Sequence, residues 1–266
     1  MKFVIGLEMY EIKVFGGVNY QEIHRQGSVF MFNEKSVIDA GCLLTSLGEK
    51  CADIETIWLT HSHLDHIVDI AFVLDMYYVQ RKVPLKIRGL KETLEALQKH
   101  FLNDDIWPDF SSITLMHGKG MSLEYEAIKV GECYRIDEET TIEPFATDHT
   151  VPSCGYIVSK ENSAILIGTD THSLEGIIAS VSNKKAIRAL VIECSFPSAF
   201  DGLAKVSKHL TPALLFQGLK SLEKKGLKLY INHIKPSYVE KITEEIQAMK
   251  GDWDVTILKD GDTIDY

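Results

Sequence analysis

The sequence lacks an excess of positive charge. Its 266 residues include 28 lysines and arginines against 38 aspartates and glutamates, which gives a formal net charge of −10. A protein that holds a nucleic-acid backbone by long-range attraction needs a basic surface, so we expect neither DNA nor RNA as a partner. A small anionic substrate remains compatible with this balance, because it needs only a local cationic site.

Long hydrophobic runs are also missing. No apolar stretch approaches the roughly 20 residues of a membrane span, and we expect no membrane association. Glu8, Glu11 and Lys13 interrupt the apolar opening of the chain, and no small-residue cleavage site follows it. The opening residues are therefore predicted to form strands.

Paired cysteines are absent as well. The five cysteines are odd in number and include no C-x-x-C pair. They favour buried free thiols and a reducing cytoplasm over a disulfide framework. The chain also has no linker, repeat or low-complexity stretch, so we expect one continuous domain over residues 1–266.

What the chain does contain is a series of short apolar strand patterns with helical patterns between them. The clearest helical patterns cover 66–81, 90–101, 211–224 and 237–248. Early strands follow one another through turns, whereas later strands alternate with helices, which predicts an α/β fold of two sheets with helices on their outer faces. The irregular segment 103–120 is either a functional loop or a plain connection.

Histidines and carboxylates are concentrated in one stretch, "LTHSHLDHIVD". His61, His63, Asp65 and His66 follow the apolar strand "TIWLT". Alternate residues of an extended loop point the same way, so His61 and His63 would serve one metal ion. Asp65 and His66 leave the first turn of a helix and would serve a second ion about 3.5–4 Å away.

Three other strand ends supply the remaining ligands. His149, Asp170 and His233 each follow an apolar run. We expect Asp170 to bridge the two ions and His149 and His233 to complete one ion each. Zinc suits this histidine-rich set, and manganese or iron would accept the same ligands.

Several residues near the predicted ligands are not predicted to bind metal themselves. Asp39 ends the strand "SVID" and is expected to support a ligand or cap a turn rather than bind metal. Asp69 would either hydrogen-bond a ligand histidine or be a solvated helix residue. Asp148 and His172 flank predicted ligands, and each is either part of the site or a surface neighbour of it.

The ligand order, His-x-His-x-Asp-His and then His, Asp and His, resembles the metallo-β-lactamase fold superfamily. The resemblance implies an αββα sandwich of two mixed sheets flanked by helices, with two divalent metal ions. Within the superfamily, "HSHLDHIVD", "NDDIWPDF", "IECSFP", "KHLTP" and "INHIKP" are similar to class II cyclic-nucleotide phosphodiesterases, from about residue 28 to about residue 240. "DHTVPSCGY" also resembles ribonuclease Z, but the Gly- and Lys-rich arm typical of that family is missing from the sequence.

The resemblance implies hydrolysis of cyclic AMP or cyclic GMP to the 5′-monophosphate, by a hydroxide held between the metals. His209 would protonate the departing 3′ oxygen, Glu193 would hold His209 or a ligand histidine, and Asp65 would bind metal and orient the nucleophile. Trp107 and Phe110 could stack on a purine, or anchor their loop or a dimer contact. The family also implies a homodimer.

Two other interpretations remain open. One is a different hydrolase on the same metals, such as a ribonuclease Z-like nuclease that processes tRNA 3′ ends or a thioester or lactone hydrolase. The other is a non-catalytic metal-binding or nucleotide-sensing domain. A complete ligand set favours catalysis.

Overall fold

The computed structural model describes residues 10–17, 27–184, 186–222 and 226–266. The strands predicted in residues 1–9 lie outside this part of the chain. So do the three residues 223–225, which include the end of the helix predicted over 211–224.

Within the described ranges, fourteen strands form two sheets of seven. The first sheet contains β1 Glu11–Phe15, β2 Val29–Asn33, β3 Ser36–Ile38, β4 Thr56–Trp58, β5 Leu85–Leu90, β6 Leu123–Ile128 and β14 Thr263–Asp265, in the order β14-β1-β2-β3-β4-β5-β6. The second contains β7 Tyr134–Arg135, β8 Thr140–Ala146, β9 Cys154–Lys160, β10 Ser163–Gly168, β11 Ile187–Glu193, β12 Lys228–Asn232 and β13 Asp254–Ile257, in the order β13-β12-β11-β10-β9-β8-β7. Both sheets are mixed, because each has three antiparallel pairings at one side and three parallel pairings at the other.

Seven α-helices are described. They are α1 Leu43–Leu47, α2 Leu64–Met76, α3 Lys91–His100, α4 Glu175–Asn183, α5 Asp201–Ser207, α6 Pro212–Leu219 and α7 Val239–Met249. Short 3-10 turns cover Gly48–Asp53, Ser198–Phe200 and Pro236–Tyr238. No helix in the described ranges is long and apolar enough to cross a membrane.

Three apolar clusters separate four layers. On β4, Ile57 packs beneath the helices of the first sheet, whereas Trp58 packs between the sheets. On β10, Leu166 faces the helices of the second sheet and Ile167 faces the first sheet. Successive side chains of a strand point to opposite faces, so strands buried on both sides are apolar throughout. The predicted αββα sandwich is confirmed.

The prediction of a helix over 66–81 is wrong about where the helix ends. Helix α2 stops at Met76, and the residues after it form turns. The Tyr77 hydroxyl donates to the Gly48 carbonyl oxygen at 2.9 Å, and Arg81 Nη2 donates to the Ile54 oxygen at 2.6 Å. These contacts hold residues 77–81 against the segment before β4.

The other predicted helices lie closer to the helices in the structure. The patterns at 90–101 and 237–248 correspond to α3 and α7, and α6 begins at Pro212, where Thr211 caps it by accepting from the Leu214 amide. The segment 103–120 contains no named helix or strand, as expected.

Candidate active site

The predicted ligands lie at one rim, where strands of both sheets end. His61 and His63 follow β4, and His63 is the N-cap of α2, so Asp65 leaves the first helical turn. Gly41 packs against that turn: a Cβ there would lie 1.7 Å from the Asp65 carbonyl oxygen, so the position requires glycine. This close approach fixes the start of α2 against the turn after β3.

Four side chains form the first group, which comprises His61, His63, His149 and Asp170. His63 Nδ1 lies 3.0 Å from His61 Nε2 and 3.1 Å from His149 Nε2. Asp170 Oδ2 lies 3.8 Å from both His61 Nε2 and His149 Nε2. Ligand atoms around one tetrahedral zinc ion are about 3.3 Å apart for bonds of about 2.0–2.1 Å, so the spacing fits a single ion.

The second group comprises Asp65, His66 and His233. His233 Nε2 lies 3.3 Å from Asp65 Oδ2, and His66 Nε2 lies 3.9 Å from the same oxygen. Asp170 joins this group as well, with Oδ1 at 3.4 Å from His233 Nε2 and Oδ2 at 3.6 Å from His66 Nε2. Asp170 therefore faces both groups, and we call the seven residues the His–Asp cluster.

Two buried atoms of this cluster have no hydrogen-bond partner: Asp170 Oδ1 and His66 Nε2. Buried polar atoms are almost always paired, and the two point into the second group. A divalent cation would satisfy both, since a carboxylate oxygen and an imidazole nitrogen are ordinary ligands of such ions. The residues present therefore fit divalent metal.

The far sides of the ligand histidines are held by hydrogen bonds. His66 Nδ1 donates to Asp39 Oδ2 at 2.7 Å, and the ring of His61 contacts Thr60 Oγ1 through Nδ1 at 3.0 Å. His149 Nδ1 donates to the Lys208 carbonyl oxygen at 3.0 Å. In each case Nε2 is left to face the cluster, as in metal sites where an outer partner fixes the ring.

The backbone is left-handed at two of these positions. Asp39 has a φ of 60° and His233 a φ of 56°, a region that residues other than glycine seldom adopt. Such conformations store strain and persist only where surrounding contacts enforce them. Here each conformation turns a strand-end side chain toward the cluster.

Beside the cluster, Glu193 holds His209. His209 Nδ1 donates to Glu193 Oε1 at 2.8 Å and lies 4.0 Å from Asp170 Oδ2. Glu193 also accepts from the Thr171 amide at 2.8 Å and the Leu210 amide at 3.2 Å. The carboxylate is buried, so it fixes the ring of His209 and directs Nε2 away from itself.

Ser195 is a residue of the site that was not predicted from the sequence. Its hydroxyl donates to Glu193 Oε2 at 2.7 Å and lies 3.2 Å from His233 Nδ1. It thereby links the carboxylate that holds His209 to a member of the His–Asp cluster. The signal was the spacing in "IECSFP", because Glu193 and Ser195 are alternate residues and point to the same side of an extended segment.

Burial and neighbouring charges set the protonation of the cluster. Burial lowers the pKa of His61, His63 and His149, which favours the neutral imidazole that binds metals. Burial alone would raise the pKa of Asp170, but His233 and the other histidines around it lower that pKa well below its usual value. For His209, burial opposes the charged ring, but Glu193 outweighs it and raises the pKa.

Three other expectations can be compared with the structure. Asp69 is buried and accepts from the Leu44 amide at 2.9 Å, so the alternative of a solvated helix residue is wrong, while a hydrogen bond to a ligand histidine stays a prediction. Asp69 caps the start of α1. Asp148 is partly exposed and pairs with Lys208, and His172 Nδ1 donates to the His209 carbonyl oxygen at 2.7 Å.

Trp107 and Phe110 pack on the outer helix layer. The Trp107 ring lies 5.3 Å from that of Phe72 on α2, and the Phe110 ring lies 6.1 Å from that of Tyr78. Phe110 belongs to the buried apolar cluster on the helix side of the first sheet, and the partly buried Trp107 packs against that cluster. Of the possibilities raised by the sequence, these contacts favour a loop anchor.

Known proteins share this fold. Unliganded yeast PDE1 matches with a TM-score of 0.77 and 19% identity over 96% of this chain and 99% of that chain. The metallo-β-lactamase fold protein YhfI from Bacillus subtilis matches with a TM-score of 0.74 and 17% identity over 97% of this chain and 99% of that chain. At these identities the similarity establishes the metallo-β-lactamase fold alone.

The sequence comparisons identify the family. The 3′,5′-cyclic-nucleotide phosphodiesterase 1 of Saccharomyces cerevisiae is 24% identical over 285 residues, which cover 92% of this chain and 74% of the yeast protein. The family model for class-II cAMP phosphodiesterases matches residues 45–252, which include the whole His–Asp cluster. The chain therefore belongs to the family of class-II cAMP phosphodiesterases.

Proposed function

We propose that this protein hydrolyses 3′,5′-cyclic nucleotides, cyclic AMP or cyclic GMP, to 5′-nucleoside monophosphates in a metal-dependent reaction. The observation that carries the proposal is the position of Asp170, whose two oxygens face two groups of ligand atoms in a member of the class-II family. A site of this kind suits the in-line displacement of a phosphodiester oxygen.

Each group would hold one divalent ion, with Asp170 shared between them. Bound ions would lower the pKa of water toward about 7 and neutralise charge on the phosphodiester. Zinc is the proposed metal because the ligands are mostly imidazoles, and Mn²⁺ or Fe²⁺ would be accepted by the same set. This local positive charge allows a chain of net charge −10 to bind an anionic substrate.

His209 is proposed to protonate the departing 3′ oxygen. Its contact with Glu193 fixes the ring and favours the protonated form, which an acid requires. Glu193 is then a positioning residue, because hydrogen bonds to His209, Ser195 and two backbone amides occupy its oxygens. Asp65 has a side chain 34% exposed, against 2% for Asp170, so it is the carboxylate suited to orient an attacking water.

The remaining proposals concern the whole chain. Residues 1–266 are proposed to form one catalytic domain that acts as a homodimer on a small nucleotide in the cytoplasm. The free cysteines support a reducing compartment. Burial raises the pKa of Cys42 and Cys51 to about 12, so both thiols are inert to oxidation while the fold is intact.

The decisive experiment is an assay of the zinc- or manganese-loaded protein with cyclic AMP and cyclic GMP, with chromatographic detection of 5′-AMP and 5′-GMP. A precursor tRNA, a thioester and a lactone are assayed in parallel, because these are the substrates of the alternative hydrolases. We expect turnover of at least one cyclic nucleotide. Cleavage of an alternative substrate with no cyclic-nucleotide turnover, or binding without any turnover, would refute the proposal.

The shared carboxylate is tested separately by metal analysis. Asp170→Ala should lose at least one ion per chain, whereas Asp75→Ala, an exposed position on α2, should lose none. Full metal retention in Asp170→Ala would show that Asp170 does not bridge.

A further inference from the structure

A cavity of about 840 Å³ lies where strands of the first sheet begin, at the opposite end of these strands from the His–Asp cluster. Its lining includes Lys35, Glu55 and Val83, which come just before β3, β4 and β5. His61 follows the other end of β4, about 20 Å away at the rise of an extended chain. A ligand in this cavity would therefore be separate from the proposed catalytic centre.

Arg81 lines the cavity, and its guanidinium has few hydrogen-bond partners. Only 3% of the residue is exposed, and Nη2 donates to the Ile54 carbonyl oxygen at 2.6 Å. Nε and Nη1 are buried with no hydrogen-bond partner, and no carboxylate of the described residues lies within 4.0 Å of the guanidinium. Burial lowers the pKa of Arg81 to about 10, so the group is still charged at neutral pH. Glu55, which also lines the cavity, offsets part of this buried charge from beyond 4.0 Å, and an anion bound at the guanidinium would offset more of it.

The cavity is also basic in an acidic protein. Five cationic and three anionic side chains line it, in a chain of net charge −10. Lys35 Nζ is paired with Glu55 Oε1 at 2.7 Å. The unpaired excess is therefore positive, and it comprises Lys13, Lys50, Arg81 and Lys82 against Glu34 and Asp53.

Apolar side chains complete the lining. Phe15, Met31, Leu47 and Val83 face the same space as the basic groups. Pockets of about 300–1,000 Å³ with an apolar lining and a few placed polar groups are typical of small-molecule sites. Inorganic phosphate alone would leave this apolar surface uncovered.

We propose that this cavity binds an amphipathic organic anion, a phosphate or carboxylate group on an apolar body, with the anionic group at Arg81. The fork of N–H donors on a guanidinium matches the oxygens of both groups. The exposed lysines at the mouth add attraction, and the apolar side chains cover the body of the ligand.

The test is calorimetric titration of the full-length, metal-loaded protein with phenyl phosphate, octanoate, inorganic phosphate and neutral benzyl alcohol. We expect phenyl phosphate or octanoate to bind more tightly than inorganic phosphate and benzyl alcohol, and their relative affinities identify the anionic group. The exposed double variant Lys50→Glu/Lys82→Glu should weaken binding by roughly tenfold or more, and Arg81→Met should abolish it. The matched charge control Lys99→Glu/Lys220→Glu should bind normally.

The double lysine variant keeps the test decisive if Arg81→Met does not fold, because both lysines are exposed. Binding that is equal in the double variant and the wild-type protein would place the anion elsewhere, for example at the metals, and would overturn the proposal. So would binding of neither organic anion, or equal binding of inorganic phosphate.

Discussion

Asp39 controls the orientation of His66. Its Oδ2 accepts from His66 Nδ1 at 2.7 Å, and its Oδ1 accepts from the Thr60 amide at 2.9 Å. In Asp39→Asn the new side chain tolerates the left-handed backbone, but the charge that holds the imidazole is gone. We expect metal affinity to fall about 10–100-fold, as measured by competition with a chelator. Asp75→Asn is the control, and equal affinity in the two variants would contradict this role.

Glu193 extends the pH range over which His209 stays protonated, because it raises the pKa of that ring. Burial would lower the pKa of His209, but Glu193 raises it, so the acid form persists to higher pH. Glu193→Gln removes the negative charge and should shift the alkaline limb of the kcat–pH profile to lower pH, with unchanged metal content. Glu175→Gln, on the surface of α4, provides the control. An alkaline limb that does not move would remove His209 as the proton donor.

At the scale of elements, a row of aromatic rings leads from His209 to the surface before α5. The Phe196 ring lies 5.8 Å from that of His209, Tyr238 lies 6.0 Å from Phe196, and Phe200 lies 5.3 Å from Tyr238. Phe200 is 42% exposed, so it can contact a nucleotide base. We expect Phe200→Ala to raise KM for the cyclic nucleotide roughly tenfold and to leave kcat unchanged. Val206→Ala, 79% exposed on α5, should change neither constant. Equal KM in both variants would show that the base binds elsewhere.

Elements with local signals could be predicted from the sequence. An apolar run followed by a polar residue marks β4, β10 and β12, and this pattern led to His61, Asp170 and His233. Other parts depend on pairs that are distant along the chain. Asp39 and His66 are 27 residues apart, and a periodic pattern carries no information about such a contact. The strand β7, of two residues, is too short for periodicity to detect.

The burial of Asp69 likewise depends on a contact between residues that are distant along the chain. A carboxylate one turn along an amphipathic helix resembles a solvated residue, and only the position of α1 across α2 gives it the Leu44 amide as a partner. Helix α2 also ends early because Tyr77 and Arg81 bond to the segment before β4. Tertiary contacts thus determine both the burial of Asp69 and the end of α2, which local propensity does not specify.

At the scale of the whole molecule, the His–Asp cluster joins the two sheets. His61, His63, Asp65 and His66 follow a strand of the first sheet, whereas His149, Asp170 and His233 follow strands of the second. Hydrogen bonds support the same junction, since Tyr156 donates its hydroxyl to the Leu59 oxygen at 2.6 Å and the Cys154 amide donates to the Thr60 oxygen at 3.0 Å. Metal bound at the cluster would therefore cross-link the halves of the sandwich.

This arrangement predicts that metal removal destabilises the fold. An ion that binds only the native state at 100 times its Kd adds about 2.7 kcal/mol to the free energy of unfolding. For a chain of this size, 1 kcal/mol corresponds to about 2–4 °C in Tm. Chelation should thus lower Tm by about 5–10 °C in calorimetry, and added zinc should restore it. In Asp170→Ala the chelator should lower Tm by less, because that variant has already lost a shared ligand. If chelation strips the metal and the wild-type Tm does not move, the ions are not held between the two sheets.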